Sequence, residues 1–200
     1  VNNIWDERYS REDYAYGTEP NDFLKQAVAK IDIQPGSRVL CLAEGEGRNA
    51  VFLAESGFIP LAVDYSNVAL EKANRLAAAR KVIIETRKID LTKEDLPDEQ
   101  FDLIVMIFCH LPSAPSIKLY EQIKKHLKSN GWLLLEGYTE AQLARNTGGP
   151  KDADLMFSSK ELNDHFAEFN IVRSQELVRP IIEGTFHTGE GAVCQFIAQK

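Results

Sequence analysis

The sequence predicts an α/β fold: a parallel sheet with helices on both faces, ending in an antiparallel strand. Three observations predict it. Short β-branched or Leu-rich runs alternate with helix-period patterns along most of the 200 residues. The first strand passes through a Gly-containing loop straight into a helix. After Gly137 the alternation stops, and two strands follow with no helix between them, which fits an antiparallel strand added to a parallel sheet.

In chain order, an aromatic N-terminal arm precedes a helix over Pro20–Ile31, whose Phe23, Leu24, Ala27, Val28 and Ile31 share one face. Pro35-Gly36 stops it. Strand one is Arg38–Leu42, and the next helix runs from Asn49 to Ser56 with Gly57 as its C-cap. Strand two is Ile59–Val63, a helix spans Asn67–Arg80, strand three is Val82–Ile89 and strand four Phe101–Phe108. Ile117, Tyr120, Ile123 and Leu127 repeat at helical spacing within Pro115–Lys128, and Trp132–Glu136 is strand five. A polar insert, Thr139–Asp154, leads to a short helix at Ser158–Phe166, then to strands Ile171–Val178 and Ala192–Ala198.

A hydrophobic content of 44% over this length suffices for one sizeable core and is too little for two, so one domain, 1–200, is expected. The net charge of −7 argues against nonspecific attraction to nucleic acid or an anionic membrane surface. Cys41, Cys109 and Cys194 are odd in number and lack metal-ligand spacing, which points to a reduced, cytoplasmic protein. No apolar run approaches the roughly 20 residues of a membrane span.

In Val39-Leu40-Cys41-Leu42-Ala43-Glu44-Gly45-Glu46-Gly47-Arg48-Asn49-Ala50 a buried strand meets Gly-x-Gly and then a helix. Gly45 and Gly47 let backbone approach a ligand, and the helix start offers N–H groups to a carboxylate or phosphate. Asp64 ends the next strand, where a carboxylate accepts from both hydroxyls of a ribose. The pattern indicates a nucleoside cofactor. It also fits the G-x-G-x-x-A dinucleotide motif, but Ala43-Glu44 separate the strand from its first Gly, and Glu44 and Glu46 suit a cationic sulfonium and ammonium better than a pyrophosphate. Tyr120-x-x-x-Lys124, a superficial match to a dehydrogenase pair, lies on the apolar stripe of its helix and reads as core packing.

On Gly45-Glu46-Gly47-Arg48-Asn49, Asp64-Tyr65-Ser66, Trp5-Asp6-Glu7-Arg8-Tyr9 and Tyr16-Gly17-Thr18-Glu19-Pro20-Asn21, the chain resembles class I methyltransferases. The likeness is to the tellurite-resistance, TehB-like branch and its thiopurine-methyltransferase-like neighbours, over about two-thirds of the chain. It implies S-adenosyl-L-methionine as cofactor, a Rossmann-like seven-stranded sheet of order 3-2-1-4-5-7-6 with strand seven antiparallel, and a small soft or anionic acceptor such as a tellurium or selenium oxyanion or a thiol. The family usually writes Asp-Leu-Gly-x-Gly-x-Gly here; Cys41 replaces the Asp and Ala43 the first Gly, leaving Glu44, Glu46 or a backbone carbonyl to face the methionine ammonium.

The expected cofactor contacts are Ala43, Glu44, Gly45, Glu46, Gly47, Asn49 and Asp64, with Tyr65 and Ser66 beside them. Asp90 and Leu91 suit the adenine, and Phe108 and Tyr16 flank the site. His110 follows strand four at the carboxyl end of the sheet, His187 sits in the turn Glu183-Gly184-Thr185-Phe186-His187, and Arg145 lies in the insert. These three are the candidates for orienting the acceptor. Cys109 reads as a small apolar lining group. Trp5, Tyr9, Tyr14 and Tyr16 leave two readings of residues 1–30 open: a helix packed on the rim of the sheet, or a lid that excludes water from a reactive sulfonium. No metal is implied, and no feature specifies an oligomeric state. Two other readings remain open at this point: an NAD(P)-dependent oxidoreductase and a non-catalytic S-adenosylmethionine-binding protein.

Overall fold

The structure is a computed structural model, which describes residues 4–185 and 187–200. Seven strands form one sheet: β1 (Arg38–Leu42), β2 (Ile59–Asp64), β3 (Glu85–Lys88), β4 (Phe101–Ile107), β5 (Leu127–Tyr138), β6 (Asn170–Glu183) and β7 (His187–Gln199). Their order is β3-β2-β1-β4-β5-β7-β6, as expected. The strands from β3 to β5 pair in parallel, and β7 is antiparallel to both β5 and β6.

Strand side chains alternate between two apolar layers, because helices cover both faces. Leu40 and Leu42 of β1 join a cluster with Ile104, Leu133 and Phe196. There they meet α5 (Ser113–His126) and α6 (Ser159–His165). Val39 and Cys41 face the other way, toward α2 (Asp22–Val28), α3 (Arg48–Glu55) and α4 (Asn67–Ala79). Tyr120 is buried in the first layer against Phe166, which agrees with its reading as core. A helix α1 (Ile4–Tyr9) opens the arm.

Several boundaries differ from the expected ones, each for a local reason. The Asn21 side chain accepts the Leu24 N–H, so α2 starts after it, at Asp22. Val82 closes the end of α4 by donating to the Ala77 carbonyl, which shortens β3. Strand β5 begins at Leu127 rather than Trp132, with Asn130 in left-handed conformation. The largest difference is the final hairpin, where β6 and β7 pair without interruption from Arg173↔Ile197 out to Glu183↔His187. Glu183 and His187 are therefore the last rungs of a ladder, not turn residues; of that turn, Phe186 lies outside the described residues.

Candidate active site

The β1–α3 loop is left-handed at three alternate positions, Ala43 (φ 48°), Gly45 (φ 65°) and Gly47 (φ 89°). Glycine is needed at the last two for internal packing. A Cβ on Gly47 would lie 2.6 Å from that of Ala73 on α4, and one on Gly45 would lie 2.9 Å from the Tyr9 hydroxyl. Neither glycine is on the wall of the cavity beyond. Ala43 adopts a conformation that costs an L-residue about 1 kcal/mol.

The loop's carboxylates are held by the protein itself. Glu44 Oε1 accepts the N–H groups of Asn49 and Ala50 at 2.9 and 2.8 Å, so the start of α3 is capped from within rather than left for a ligand. Burial pushes the Glu44 carboxyl up to about 7, against those two N–H groups and Arg48. Glu46 accepts the Ala15 N–H at 2.7 Å and pairs with Lys72, which removes it as the partner of a ligand ammonium. Lys72 also donates to the carbonyls of Arg11 and Asp13, at 3.0 and 2.6 Å, stapling the arm to α4.

At the end of β2, Asp64 accepts the Gly45 N–H through Oδ2 and the Ser66 N–H through Oδ1, both at 2.8 Å. Each oxygen keeps a second lone pair for a ligand. Burial raises its pKa, and those N–H groups oppose the rise. Ser66 is fully buried as the N-cap of α4, donating to Asp6 at 2.5 Å, and is not part of the wall. Asp90 and Leu91 line the wall, with the Asp90 carboxylate turned to Thr92 and Lys93. Those partners hold its pKa low.

These groups face a cavity of about 700 Å³, within the range of small-ligand sites. Its wall includes Ala43, Glu44, Glu46, Asn49, Asp64 and Tyr65 on one side. The other side is aromatic. The His187 ring lies 4.6 Å from those of Tyr16 and Phe108 and 5.4 Å from that of Tyr138. Phe108 is left-handed (φ 52°), an unusual conformation for a bulky residue that aims its ring at His187 and Tyr138. Arg8 of α1 lines the cavity too and donates to the Tyr16 hydroxyl at 2.8 Å.

The three acceptor-side candidates separate. His110 lines the cavity, but Nδ1 lies 2.7 Å from the Leu155 carbonyl and Nε2 accepts the Tyr138 N–H at 3.2 Å. Both nitrogens are engaged, and burial pushes its pKa down to about 4, so the ring is neutral wall. His187 pairs through Nδ1 with Glu183 at 3.5 Å. Its Nε2 makes no hydrogen bond among the described residues, and burial lowers its pKa while Glu183 resists. Arg145 is not on the wall. The insert folds back on β7, where Ala192 N–H donates to Gln142, and this leaves the Arg145 guanidinium 3.7 Å from Glu190.

Behind His187 is a buried polar network that sequence reasoning missed. Glu183 pairs with Arg48 at 2.7 Å. Burial alone raises a carboxyl, but His187 and Arg48 outweigh it and hold Glu183 at about 2. Asn21 Nδ2 donates to Glu183 at 2.9 Å and to the fully buried Glu136 at 2.8 Å, and Arg179 Nε donates to Glu136 at 3.0 Å. One signal was available: Glu136 ends the run Trp132-Leu133-Leu134-Leu135, and a carboxylate in a buried strand requires partners. Tyr138, another wall residue not anticipated, is 1% exposed, and its hydroxyl has no partner among the described residues.

The segment from β1 to the start of β5 matches a known family model. Residues 39–131 match the model of a methyltransferase domain. The chain is 31% identical over 121 residues to phosphoethanolamine N-methyltransferase 3 of Arabidopsis thaliana, covering 57% of this chain and 24% of that protein. It thus spans about a quarter of the length of that curated relative. Among solved structures, it resembles TehB from Haemophilus influenzae with a TM-score of 0.75 at 18% identity, covering 90% of this chain and 62% of that one. It also resembles magnesium protoporphyrin IX methyltransferase from Synechocystis with bound S-adenosylhomocysteine: TM-score 0.66, 15% identity, 88% of this chain and 80% of that one. At these identities the structural likenesses show the shared fold. Glu44 and Asp64 on the wall present acceptor oxygens, which suit a ligand that carries hydroxyls, an amine or a positive charge. Among the described residues, no group of three His, Cys, Asp or Glu is placed to hold a metal, and no helix is long and apolar enough to cross a membrane.

Proposed function

We propose that this protein transfers a methyl group from S-adenosylmethionine to a small soft acceptor, a thiol or a tellurium or selenium oxyanion, at the aromatic end of the cavity. The observation that supports this reading is the division of the cavity wall. Glu44 and Asp64 face one side, where a cationic cofactor is stabilised; Tyr16, Phe108, Tyr138 and His187 make the other, with Arg8 beside Tyr16. No carboxylate on the aromatic side is left over for an ammonium, because Glu183 is shared by Arg48, Asn21 and His187. That favours an acceptor that arrives neutral or anionic over one that arrives as an ammonium cation.

When bound, S-adenosylmethionine supplies an electrophilic methyl on a positively charged sulfur, and transfer is an in-line displacement needing mainly alignment and dryness. Tyr16 and Phe108 exclude water and position the acceptor. His187, neutral near pH 7 and oriented by Glu183, takes the proton at Nε2 when the acceptor is a thiol. His110 serves as wall, and Arg145 has no part. The arm from Ile4 acts as the cover of this site: Trp5, Arg8 and Tyr9 line the cavity from it.

The test is transfer of labelled methyl from the cofactor across tellurite, selenite, small thiols and phosphoethanolamine, with S-adenosylhomocysteine and NAD(H) binding measured by calorimetry. Labelling of a soft acceptor and binding of S-adenosylhomocysteine are expected. Labelling of phosphoethanolamine alone would overturn the acceptor assignment; binding of NAD(H) alone would overturn the cofactor.

A further inference from the structure

Two segments from outside the regular βα alternation reach the cavity. Trp5, Arg8 and Tyr9 belong to the arm; Gly148, Gly149, Pro150 and Leu155 come from the insert after β5. None of the insert's charged side chains is on the wall. Arg145 is at Glu190, Lys151 donates to the Arg145 carbonyl at 3.2 Å, and Asp154 accepts the Ser113 N–H at 3.3 Å. What the insert gives the wall is main chain, a proline ring and one leucine. Such a surface limits the size of a ligand and offers it no charge.

One side chain fixes the height of that main chain. Gln142 is fully buried, and its carboxamide is spent in three directions. Oε1 accepts the Ala192 N–H of β7 at 2.9 Å, while Nε2 donates to the Thr147 hydroxyl at 3.1 Å and to the Gly148 carbonyl at 3.0 Å. The Ala192 N–H decides which end is the oxygen, so both amide hydrogens are left for the insert. Thr147 extends the anchor, its hydroxyl donating to the Glu190 carbonyl at 2.7 Å. Farther along, the Leu155 carbonyl is held by His110 Nδ1 at 2.7 Å. Between these anchors the chain lies on Tyr138. A Cβ on Gly149 would come within 2.7 Å of Cδ2 of that ring, and one on Gly191 of β7 within 3.0 Å of Cε1. The gripped ring stands 4.7 Å from Phe108 and 5.4 Å from His187, so the position of the insert sets the space at the aromatic end.

We propose that Gln142 determines the size of the acceptor. By tying residues 147 and 148 to β7 it holds Gly148-Gly149-Pro150 as a ceiling that admits acceptors of few atoms and turns away bulky ones. Gln142 itself is not on the wall; it is a positioning residue that acts through the ceiling. This inference rests on methyl transfer to a soft acceptor, as proposed above.

The experiment follows labelled methyl transfer to 2-mercaptoethanol, thiophenol and 2-naphthalenethiol, with hydrogen–deuterium exchange over residues 144–155. It compares the full chain with Gln142→Ala and with Thr147→Val, which removes one anchoring hydroxyl at nearly constant shape. Each thiol is compared between proteins, so differences in thiol acidity cancel. In Gln142→Ala the kcat/KM ratio of the naphthyl thiol to 2-mercaptoethanol should rise about tenfold, mainly through KM, and in Thr147→Val about threefold. Exchange over 144–155 should quicken about tenfold in Gln142→Ala, with α3 unchanged. The Kd of S-adenosylhomocysteine should stay within about twofold, since the anchor lies away from Glu44 and Asp64. An unchanged ratio in variants whose 144–155 exchange has quickened would overturn the size role while leaving the acceptor reading intact. Exchange that quickens in neither variant would overturn the anchor. Thr147→Val decides the matter if Gln142→Ala loosens the whole fold. A wild type that methylates none of the three thiols would overturn the thiol acceptor and the size role together.

Discussion

The two sides of the cavity are built on different principles. The acidic side comes from residues close in sequence, Ala43–Asn49 and Asp64, held by backbone N–H groups at the carboxyl ends of adjacent parallel strands. The aromatic side brings together Arg8 and Tyr16 from the arm, Phe108 and His110 after β4, Tyr138 from β5 and His187 from β7. It is held by long-range charged pairs, with Glu183 bound to residues 135 and 162 positions away. One side follows from the local chain path; the other exists only when the whole fold has closed.

The largest expected effect strikes the side that depends on long-range pairs. Glu183→Ala leaves Arg48 buried without its partner and should cost about 3–5 kcal/mol of unfolding free energy in urea titration. A loss below about 1 kcal/mol would mean that the network does not hold the hairpin to α3. Because Glu183 titrates lower in the folded chain than its ordinary 4.5, its contribution is present above that pH and disappears as pH falls toward 2. The difference between wild type and Glu183→Ala should shrink across that window.

On the cofactor side, Asp64→Ala should weaken S-adenosylhomocysteine about 100-fold by calorimetry, through two lost charge-assisted hydrogen bonds. Unchanged affinity would place the ribose elsewhere. Tyr138→Phe removes a buried hydroxyl that has no partner and should raise unfolding free energy by about 1 kcal/mol. A loss instead would show that the hydroxyl is bonded in solution. Ala43→Gly relieves a left-handed alanine and should stabilise by at most about 1 kcal/mol, offset in part by unfolded-chain entropy. Clear destabilisation would mean that the loop path at Ala43 is misassigned.

The same division explains what could be read from the sequence. Strand positions, their burial on both faces and the loop after Leu42 follow from local patterns, because period and turn chemistry act over a few residues. Asp64, Glu44 and Leu91, which line the cavity, sit where those local patterns put them. Glycine positions were legible, but their reason was not: nothing in Gly45-Glu46-Gly47 indicates that Tyr9 and Ala73 would occupy the space. Arg145 and Ser66 had the right chemistry for contact with a ligand, yet Glu190 and Asp6, far away in sequence, hold them outside the wall. Tyr138, Arg48 and Arg179 carry no local signal. Each acquires a role only through partners on other elements.

Asn21 reaches from the arm to two carboxylates on separate strands, and Lys72 binds the arm's carbonyls together with Glu46. Seen from the sheet, residues 13–21 behave as an internal ligand that the domain has covalently tethered to itself. A protease cut that released this segment would not produce an open, more accessible enzyme. It would strip hydrogen bonds from Glu136, Glu183 and Glu46 at once, leaving the β1–α3 loop and the final hairpin with no common anchor.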